Sequence, residues 1–317
     1  MLRPKALKSG DKIGITATSG PAPTENVKLA KEWLENMGFR VELAPGCFAS
    51  YGYLAGKDRL RADNLNSMFA DKEIDGIICL RGGYGATRIL DKVDFDIIRA
   101  NPKIFVGYSD ITALHIAINQ ICGLVTFHGP TASPDIAGGL DDFSEKEFLR
   151  AIMNPEPMMN ILNPQNIKIE TLVGGKACGI IVGGNLSLIS ATMGTRYEID
   201  TKGKILFLEE IGEEPYRIDR MLVQLAMAGK FDDASGIILG DWNDCESKIY
   251  DNSLSLMEVF KDIIVPYGKP TIFNLQAGHC KPEVTLPLGV NTLLDADKGK
   301  LIIEGSATTQ CDKRGRT

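Results

Sequence analysis

Two hydrophobic patterns alternate along the first half of the chain. Runs in which nearly every residue is apolar, such as residues 76–80, predict strands that are buried on both faces. Between these runs, apolar residues recur at helical spacing, as at Val27, Ala30 and Leu34. The predicted strands are residues 12–18, 40–44, 76–80, 104–106 and 124–127, and the main predicted helices are residues 24–37, 57–69 and 144–153. This order predicts an α/β domain, with a mostly parallel sheet flanked by helices on both sides.

The pattern changes after residue 153. Residues 154–165 contain three prolines and three asparagines, and we predict a linker over residues 154–170. The predicted elements that follow are strands 179–182, 204–208 and 236–239, helices 216–228 and 254–264, and a hairpin within 284–304. We therefore predict an N-terminal domain over residues 1–153 and a smaller, mixed α+β domain over residues 171–317.

Composition excludes several classes of function. The chain has 317 residues, of which 44% are hydrophobic and 24% charged, with a net charge of −6. An acidic chain disfavours nucleic acid or a membrane as the main partner, because both attract basic surfaces. The seven cysteines form no CxxC pair, and the N-terminal residues contain no apolar signal-peptide core. We therefore expect reduced thiols and a cytoplasmic location.

Glycines and chemically capable side chains collect where predicted strands end. RGGYG follows Leu80, GYSD follows Val106, HGP follows Phe127, two glutamates follow Leu208, and GH lies just after Leu275. Ligands of open parallel sheets bind at the carboxyl ends of the strands. We therefore expect the functional site at this edge.

Ser109 lies at a corner between a predicted strand and a helical pattern. A serine there can point its hydroxyl out of the sheet as a nucleophile, beside amides that hold negative charge. It can also cap the helix, and residues 103–120 alone favour the cap because serine so often fills that role. The RGGYG loop has two interpretations as well, a tight turn or a set of amides that approach a ligand. Arg81 within it can bind a substrate carboxylate or hold the loop.

Histidine and glutamate supply the other candidates. The chain has three histidines, and His115 falls inside a helix, so a histidine base would be His128 or His279. Glu209 and Glu210 end a buried strand and must face opposite sides of it. Either one of them orients a histidine, or both are charges in solvent. No spacing typical of a zinc site occurs, and RGGYG matches neither a phosphate-binding P-loop nor a GxGxxG dinucleotide-binding loop. We therefore expect neither a metal nor a cofactor.

A series of segments resembles the LD-carboxypeptidase family, the serine peptidases of the murein-recycling and microcin-immunity type. In order, the segments are RGGYGA, GYSDIT, TFHGP, GGNLS, LFLEE, PYRIDRML, GH and TLPLG. The resemblance covers nearly the whole chain. It implies a class I glutamine amidotransferase-like N-terminal domain, a homodimer, and a site between the two domains.

The resemblance also implies a catalytic triad. Its nucleophile is the serine of GYSD, Ser109, its carboxylate is the first glutamate after the LFL strand, Glu209, and its base is the histidine of the GH segment, His279. His128 is then a wall or packing residue.

The implied oxyanion hole consists of two backbone N–H groups, those of Gly83 and Asp110. Arg81 is our candidate for the substrate carboxylate, with Tyr84 beside it. The implied reaction releases the terminal D-alanine from a murein tetrapeptide, a small peptide substrate, during peptidoglycan recycling.

Two other functions compete with this one. The first is an amidase that acts on peptidyl-nucleotide antibiotics, whose subgroup carries an aromatic residue on an extra loop to stack a nucleobase. Residues 154–170 contain no aromatic residue, which favours the murein peptide. The second is a non-catalytic ligand-binding protein, which predicts a broken triad, whereas all three triad positions carry the expected residues.

Overall fold

The computed structural model of the chain describes residues 1–310. Its strands are β1 Lys12–Thr16, β2 Arg40–Leu43, β3 Gly76–Cys79, β4 Ile104–Gly107, β5 Thr126–His128, β6 Met159–Ile161, β7 Glu170–Val173, β8 Lys176–Asn185, β9 Ile205–Ile211, β10 Gly236–Asn243, β11 Thr271–Phe273, β12 Leu286–Leu288, β13 Asn291–Asp295 and β14 Lys300–Ile303.

The α-helices are α1 Thr24–Asn36, α2 Asp58–Ala70, α3 Ala86–Ile89, α4 Phe95–Ala100, α5 Thr112–Ala117, α6 Asp142–Met153, α7 Leu186–Thr192, α8 Pro215–Met227, α9 Lys230–Asp233 and α10 Leu256–Ile263. Short 3₁₀ turns cover Pro45–Phe48, Leu90–Lys92, Ser109–Ile111, Val265–Tyr267 and Ala296–Lys298, and π turns cover Ile118–Cys122 and Ala132–Ile136.

The first sheet has six strands in the order β12-β5-β4-β3-β1-β2. All neighbours are parallel except β12 and β5, which are antiparallel. Strands β3 and β4 are buried along their whole length, as their continuous apolar runs predict for a sheet covered on both faces. The predicted α/β architecture is confirmed.

The second sheet has eight strands in the order β6-β14-β13-β8-β9-β10-β11-β7. Its centre, from β8 to β11, is parallel, and the outer strands pair antiparallel. Helices α7, α8 and α10 cover one face with an apolar cluster that includes Leu186, Leu222 and Phe260. This is the mixed α+β part of the fold.

Residues 284–304 differ in part from the predicted hairpin. Strands β13 and β14 do form one, with Asp295 opposite Lys300. The preceding residues Leu286–Leu288 instead cross to the first sheet, where they pair with β5. The second half of the chain therefore completes the first sheet, and the main core contains Phe105 and Phe127 together with Phe207.

The predicted linker contains the short strand β6, which pairs with β14. The proposed division into domains at residues 153 and 171 stays a prediction. Six cysteines fall within the described residues and none is in a disulfide, while Cys311 lies outside them. No helix within residues 1–310 has the length and apolar character required to cross a bilayer.

Candidate functional site

Ser109 occupies a strained corner at the end of β4. Its φ is +63°, a left-handed conformation that a residue with a side chain rarely adopts. A helix N-cap has an extended backbone instead and accepts a hydrogen bond from the next turn. Within residues 1–310, no side chain accepts a capping hydrogen bond from the turn Ser109–Ile111. The N-cap explanation of Ser109 is therefore wrong.

The RGGYG loop lies directly against this corner. A Cβ atom on Gly82 would come within 2.8 Å of the Ser109 Cβ and 2.9 Å of its Oγ, so only glycine fits there. The carbonyl of Gly82 accepts a hydrogen bond from the Gly20 N–H at 3.1 Å. Because C=O and N–H point in opposite directions across a trans peptide, the N–H of Gly83 is turned away from Gly20.

Glu209 and His279 form a hydrogen-bonded pair near the end of β9. The Glu209 Oε2 lies 2.7 Å from the His279 Nδ1, and the two side chains are 0% and 11% exposed. Gly278 permits this contact, since its φ is +127° and a Cβ there would come within 2.8 Å of the same oxygen. The sequence thus places a buried carboxylate against the Nδ1 side of a nearly buried imidazole.

Glu210 points to the other side of β9, as strand alternation predicts. Its carboxylate accepts hydrogen bonds from the Asn185 side chain at 2.9 Å and from the Ser187 N–H at 2.8 Å. The second of these satisfies a free N–H in the first turn of α7. Both glutamates are buried, so the alternative of two solvent-exposed charges is wrong.

Two effects oppose each other at His279. Burial lowers the pKa of the imidazole, but the hydrogen bond to Glu209 and the charge of that carboxylate raise it more. The net result is a pKa above the ordinary value of 6.5. A base with this environment binds a proton readily and is held in one orientation.

Tyr108 links Ser109 to His279, a contact that no pattern in the sequence predicts. Its ring centroid lies 4.8 Å from that of His279, and its hydroxyl donates to the Asp135 Oδ1 at 3.2 Å. The backbone carbonyl of His279 also accepts a hydrogen bond from the Asn243 side chain at 3.0 Å. The residue before Ser109 thus packs directly on His279, although 170 positions separate Ser109 from His279 in sequence.

The other two histidines are structural. His115 is fully buried and its Nε2 lies 2.8 Å from the Gly107 carbonyl oxygen. His128 is also fully buried and meets the Phe207 ring edge-on at 5.1 Å. Burial lowers the pKa of His115 to about 4 and that of His128 well below its usual range. Both side chains therefore pack within the core.

Arg81 and Tyr84 lie at the surface of the loop. The Arg81 Nη1 donates to the Pro21 carbonyl at 2.9 Å, so this guanidinium does hold the loop. Tyr84 is 47% exposed, and its ring centroid lies 5.8 Å from that of Tyr53. Within residues 1–310, no group of three or more histidine, cysteine or acidic side chains has an arrangement that could hold a metal ion.

Comparison with known proteins identifies the class. The sequence model of the LD-carboxypeptidase N-terminal domain matches residues 13–129, and that of the LD-carboxypeptidase C-terminal domain matches residues 178–294. The chain belongs to the LD-carboxypeptidase family, and it is a peptidase of the carboxypeptidase type.

Individual relatives span nearly the whole chain. A probable murein peptide carboxypeptidase of Bacillus subtilis is 43% identical and aligns with 96% of this chain and 95% of its own length. The muramoyltetrapeptide carboxypeptidase of Oxalobacter formigenes superposes with a TM-score of 0.81 at 29% identity, over 93% of this chain and 99% of that one. The structure of MccF, a microcin self-immunity protein, in complex with glutamyl sulfamoyl guanosine superposes with a TM-score of 0.90 at 26% identity, over 98% and 100% of the two chains.

Proposed function

We propose that the protein is a serine-type LD-carboxypeptidase that releases the terminal D-alanine from murein tetrapeptides. The observation that carries this proposal is the 2.7 Å contact between the Glu209 Oε2 and the His279 Nδ1, together with a serine at φ +63° whose neighbour Tyr108 packs on His279. Nucleophile, base and orienting carboxylate are the three parts of a serine hydrolase triad. Similarity to a probable murein peptide carboxypeptidase supports the choice of substrate.

In the proposed mechanism, His279 takes the proton of the Ser109 hydroxyl as Ser109 Oγ attacks the carbonyl of the scissile bond. The imidazolium that forms is stabilised by Glu209, which also keeps the Nδ1 of His279 protonated and the Nε2 turned toward the serine. His279 then gives the proton to the departing amine of D-alanine. A water molecule, activated by the same histidine, releases the peptide from Ser109.

The negative charge that develops on the carbonyl oxygen needs donors in fixed positions. We assign this role to the backbone N–H groups of Gly83 and Asp110. Each donor of this kind contributes about 3 kcal/mol to transition-state stabilisation. The close approach of Gly82 to Ser109 supports the assignment, because it places the loop beside the reacting atoms.

A carboxypeptidase must also bind the free carboxylate of its substrate. Arg81 is our candidate, with the exposed ring of Tyr84 as a neighbouring wall. The hydrogen bond from Arg81 to the Pro21 carbonyl uses one of its five N–H donors, and the rest of the fork can serve a carboxylate. A cytoplasmic location, a homodimer and a role in peptidoglycan recycling belong to the same proposal.

Cleavage of an aminoacyl- or peptidyl-nucleotide is the second candidate. It is supported by the close superposition on MccF, which was solved with an aminoacyl-sulfamoyl nucleoside. The triad and oxyanion hole would serve both reactions, since each splits an acyl–nitrogen bond. The two candidate substrates differ in the leaving group, which is D-alanine in the first and a nucleotide conjugate in the second.

Mass spectrometry of a small substrate panel tests the choice. We expect the purified protein to remove one alanine from a tetrapeptide ending in D-alanine, and to leave a peptide ending in L-alanine and an aminoacyl-sulfamoyl adenylate intact. EDTA should not reduce the rate. Turnover of the nucleotide conjugate alone would contradict the murein proposal, and inhibition by EDTA that zinc reverses would contradict the metal-free mechanism.

A further inference from the structure

A fully buried arginine lies beneath the RGGYG loop, and no step of the proposed mechanism uses it. Arg61 on α2 has no exposed surface, although a charged side chain is rarely buried without partners. Its guanidinium donates to three backbone carbonyls, those of Thr18, Gly56 and Gly85, with distances of 3.3 Å for Gly56 and 2.7 Å for Gly85. The charge is therefore directed at the backbone of the loops around Ser109.

The contact with Gly85 fixes one end of the RGGYG loop. The carbonyl of Gly85 accepts from Arg61, and the N–H on the other side of that peptide, from Ala86, donates to the Asp110 Oδ2 at 2.7 Å. One peptide group is thus held between a cation and a carboxylate. Asp110 follows Ser109 directly, so the clamp joins the loop to the nucleophile corner.

The contact with Thr18 acts on the other end of the RGGYG loop, through Gly20. Two residues after Thr18, the Gly20 N–H donates to the Gly82 carbonyl at 3.1 Å. That hydrogen bond sets the plane of the peptide between Gly82 and Gly83 and hence the direction of the Gly83 N–H. Arg61 therefore supports both sides of the peptide that we assign to the oxyanion hole.

Asp58 supplies the counter-charge that Arg61 needs. The Asp58 Oδ1 lies 2.5 Å from the Arg61 Nη2. The same carboxylate accepts from the Arg88 Nε at 3.0 Å and Nη2 at 3.1 Å, and Arg88 lies on α3, directly after the loop. Only glycine fits at position 85, because a Cβ there would come within 2.6 Å of the Arg61 Nη1.

We propose that Arg61 is a positioning residue that holds the Gly83 N–H in the direction required to bind the oxyanion. This inference rests on the proposed serine mechanism. Arg61 touches no substrate and acts through Thr18 and Gly85. Its loss should therefore slow acylation of Ser109 while leaving the affinity for substrate nearly unchanged.

The experiment compares Arg61→Met and Arg61→Lys with Lys103→Met. Lys103 is a matched control, since it is also a buried cation that donates to backbone carbonyls, those of Asp71 and Ile74, but lies at the amino end of β4. For each variant we would measure Tm, kcat and KM for the tetrapeptide. We would also measure the second-order rate at which a fluorophosphonate labels Ser109, a reaction in which Oγ bonds to phosphorus and fluoride leaves.

We expect Arg61→Met to lower both kcat and the labelling rate about 100-fold, with KM changed by less than about threefold. Arg61→Lys should lower the same rates about tenfold, because an ammonium cannot reproduce the guanidinium fork. Lys103→Met should lower Tm and leave both rates at the wild-type values. A purely structural role for Arg61 would give the Lys103→Met result instead.

Asp58→Asn keeps the inference testable if Arg61→Met does not fold. It leaves Arg61 in place without its anion, and we expect a labelling rate about tenfold below wild type. Folded Arg61→Lys and Asp58→Asn variants that label at the wild-type rate would overturn the proposal. Labelling needs no peptide, so a wild-type protein that labels normally but spares the tetrapeptide would count against the proposed substrate alone.

Discussion

The two sides of the candidate site are built by different means. Around Ser109 the backbone sets the geometry, through a left-handed φ, a glycine at position 82 that touches the serine, and peptide groups that hold one another. Around His279 side chains set it, through the contact with Glu209 and the ring of Tyr108. Backbone conformation therefore determines the geometry around Ser109, and charged and aromatic side chains determine the position of His279.

Because of this difference, the two sides should affect the pH dependence of the rate differently. Backbone N–H groups do not titrate, so the Ser109 side should affect the rate equally at every pH. The imidazole of His279 does titrate, and the neighbouring carboxylate determines where. Substitutions on the two sides should therefore differ in their effect on the pH profile as well as in size.

The largest effect is expected from Ser109→Ala. Loss of a triad serine should lower kcat for tetrapeptide cleavage about a millionfold, because attack on the carbonyl no longer has a nucleophile. The rate is measured by mass-spectrometric detection of released D-alanine. Cleavage at a near wild-type rate would show that another residue is the nucleophile.

Ser109→Gly is the matched control for strain. It should be as inactive as Ser109→Ala, but more stable than it by about 1 kcal/mol, because glycine adopts a positive φ without the clash of a Cβ. The free energy of unfolding of the two variants in urea gives the comparison. Equal stabilities would mean that the backbone at this corner stores no strain.

The next largest effect is expected from Glu209→Gln. We expect kcat to fall about 10⁴-fold, because the amide no longer orients His279 or stabilises the imidazolium. The carboxylate raises the pKa of His279, and a base must be unprotonated to act. Removal of the charge should therefore move the acid limb of the kcat/KM profile to lower pH.

Glu210→Gln is the control for this prediction. Glu210 also raises the pKa of His279, but less than Glu209 does, and its hydrogen bonds go to Asn185 and Ser187. We expect a lower Tm, a smaller shift of the acid limb and a much smaller change in kcat. An acid limb that stays in place in Glu209→Gln would rule out His279 as the titrating base.

Patterns that depend on neighbouring residues were sufficient to predict most strands and the helices between them, and they indicate the sheet edge at which the candidate residues lie. Pairings between distant segments have no such signal. Leu286–Leu288 shows this, since nothing in its sequence indicates that it leaves the second half to pair with β5. Arg61 is similar, because an arginine in an amphipathic helix is expected in solvent, and only the tertiary structure places carbonyls around it.

Ser109 shows why local preference can mislead. Serine is frequent at helix N-caps, and this general preference favours a capping role for any serine that precedes a helix. The preference takes no account of the tertiary contacts at a particular position. Here the Gly82 backbone lies against Ser109, and the φ of +63° is incompatible with a capping conformation. The family resemblance, which draws on the whole chain, supplied the assignments of Glu209 and His279 that the pattern alone left open.

The histidines that lie away from Glu209 should affect stability and not the rate. Burial lowers the pKa of His115 to about 4, whereas in the unfolded chain it is about 6.5. The unfolded state therefore binds more protons between these values. The associated stability is complete above pH 6.5 and decreases as the pH falls toward 4, by about 1.4 kcal/mol per pH unit. His128, with its pKa also lowered by burial, acts in the same direction.

Urea unfolding at pH 7 and pH 5 measures this loss. We expect His115→Gln to retain about 2 kcal/mol more of its pH 7 stability at pH 5 than the wild type does, because glutamine has no proton to gain. The glutamine amide can still donate to the Gly107 carbonyl, which His115 contacts in the wild type. An unchanged pH dependence would show that folding does not lower the pKa of His115. Burial lowers the pKa of His115 whereas Glu209 raises that of His279, so the first histidine affects how stability depends on pH and the second affects how the rate depends on pH.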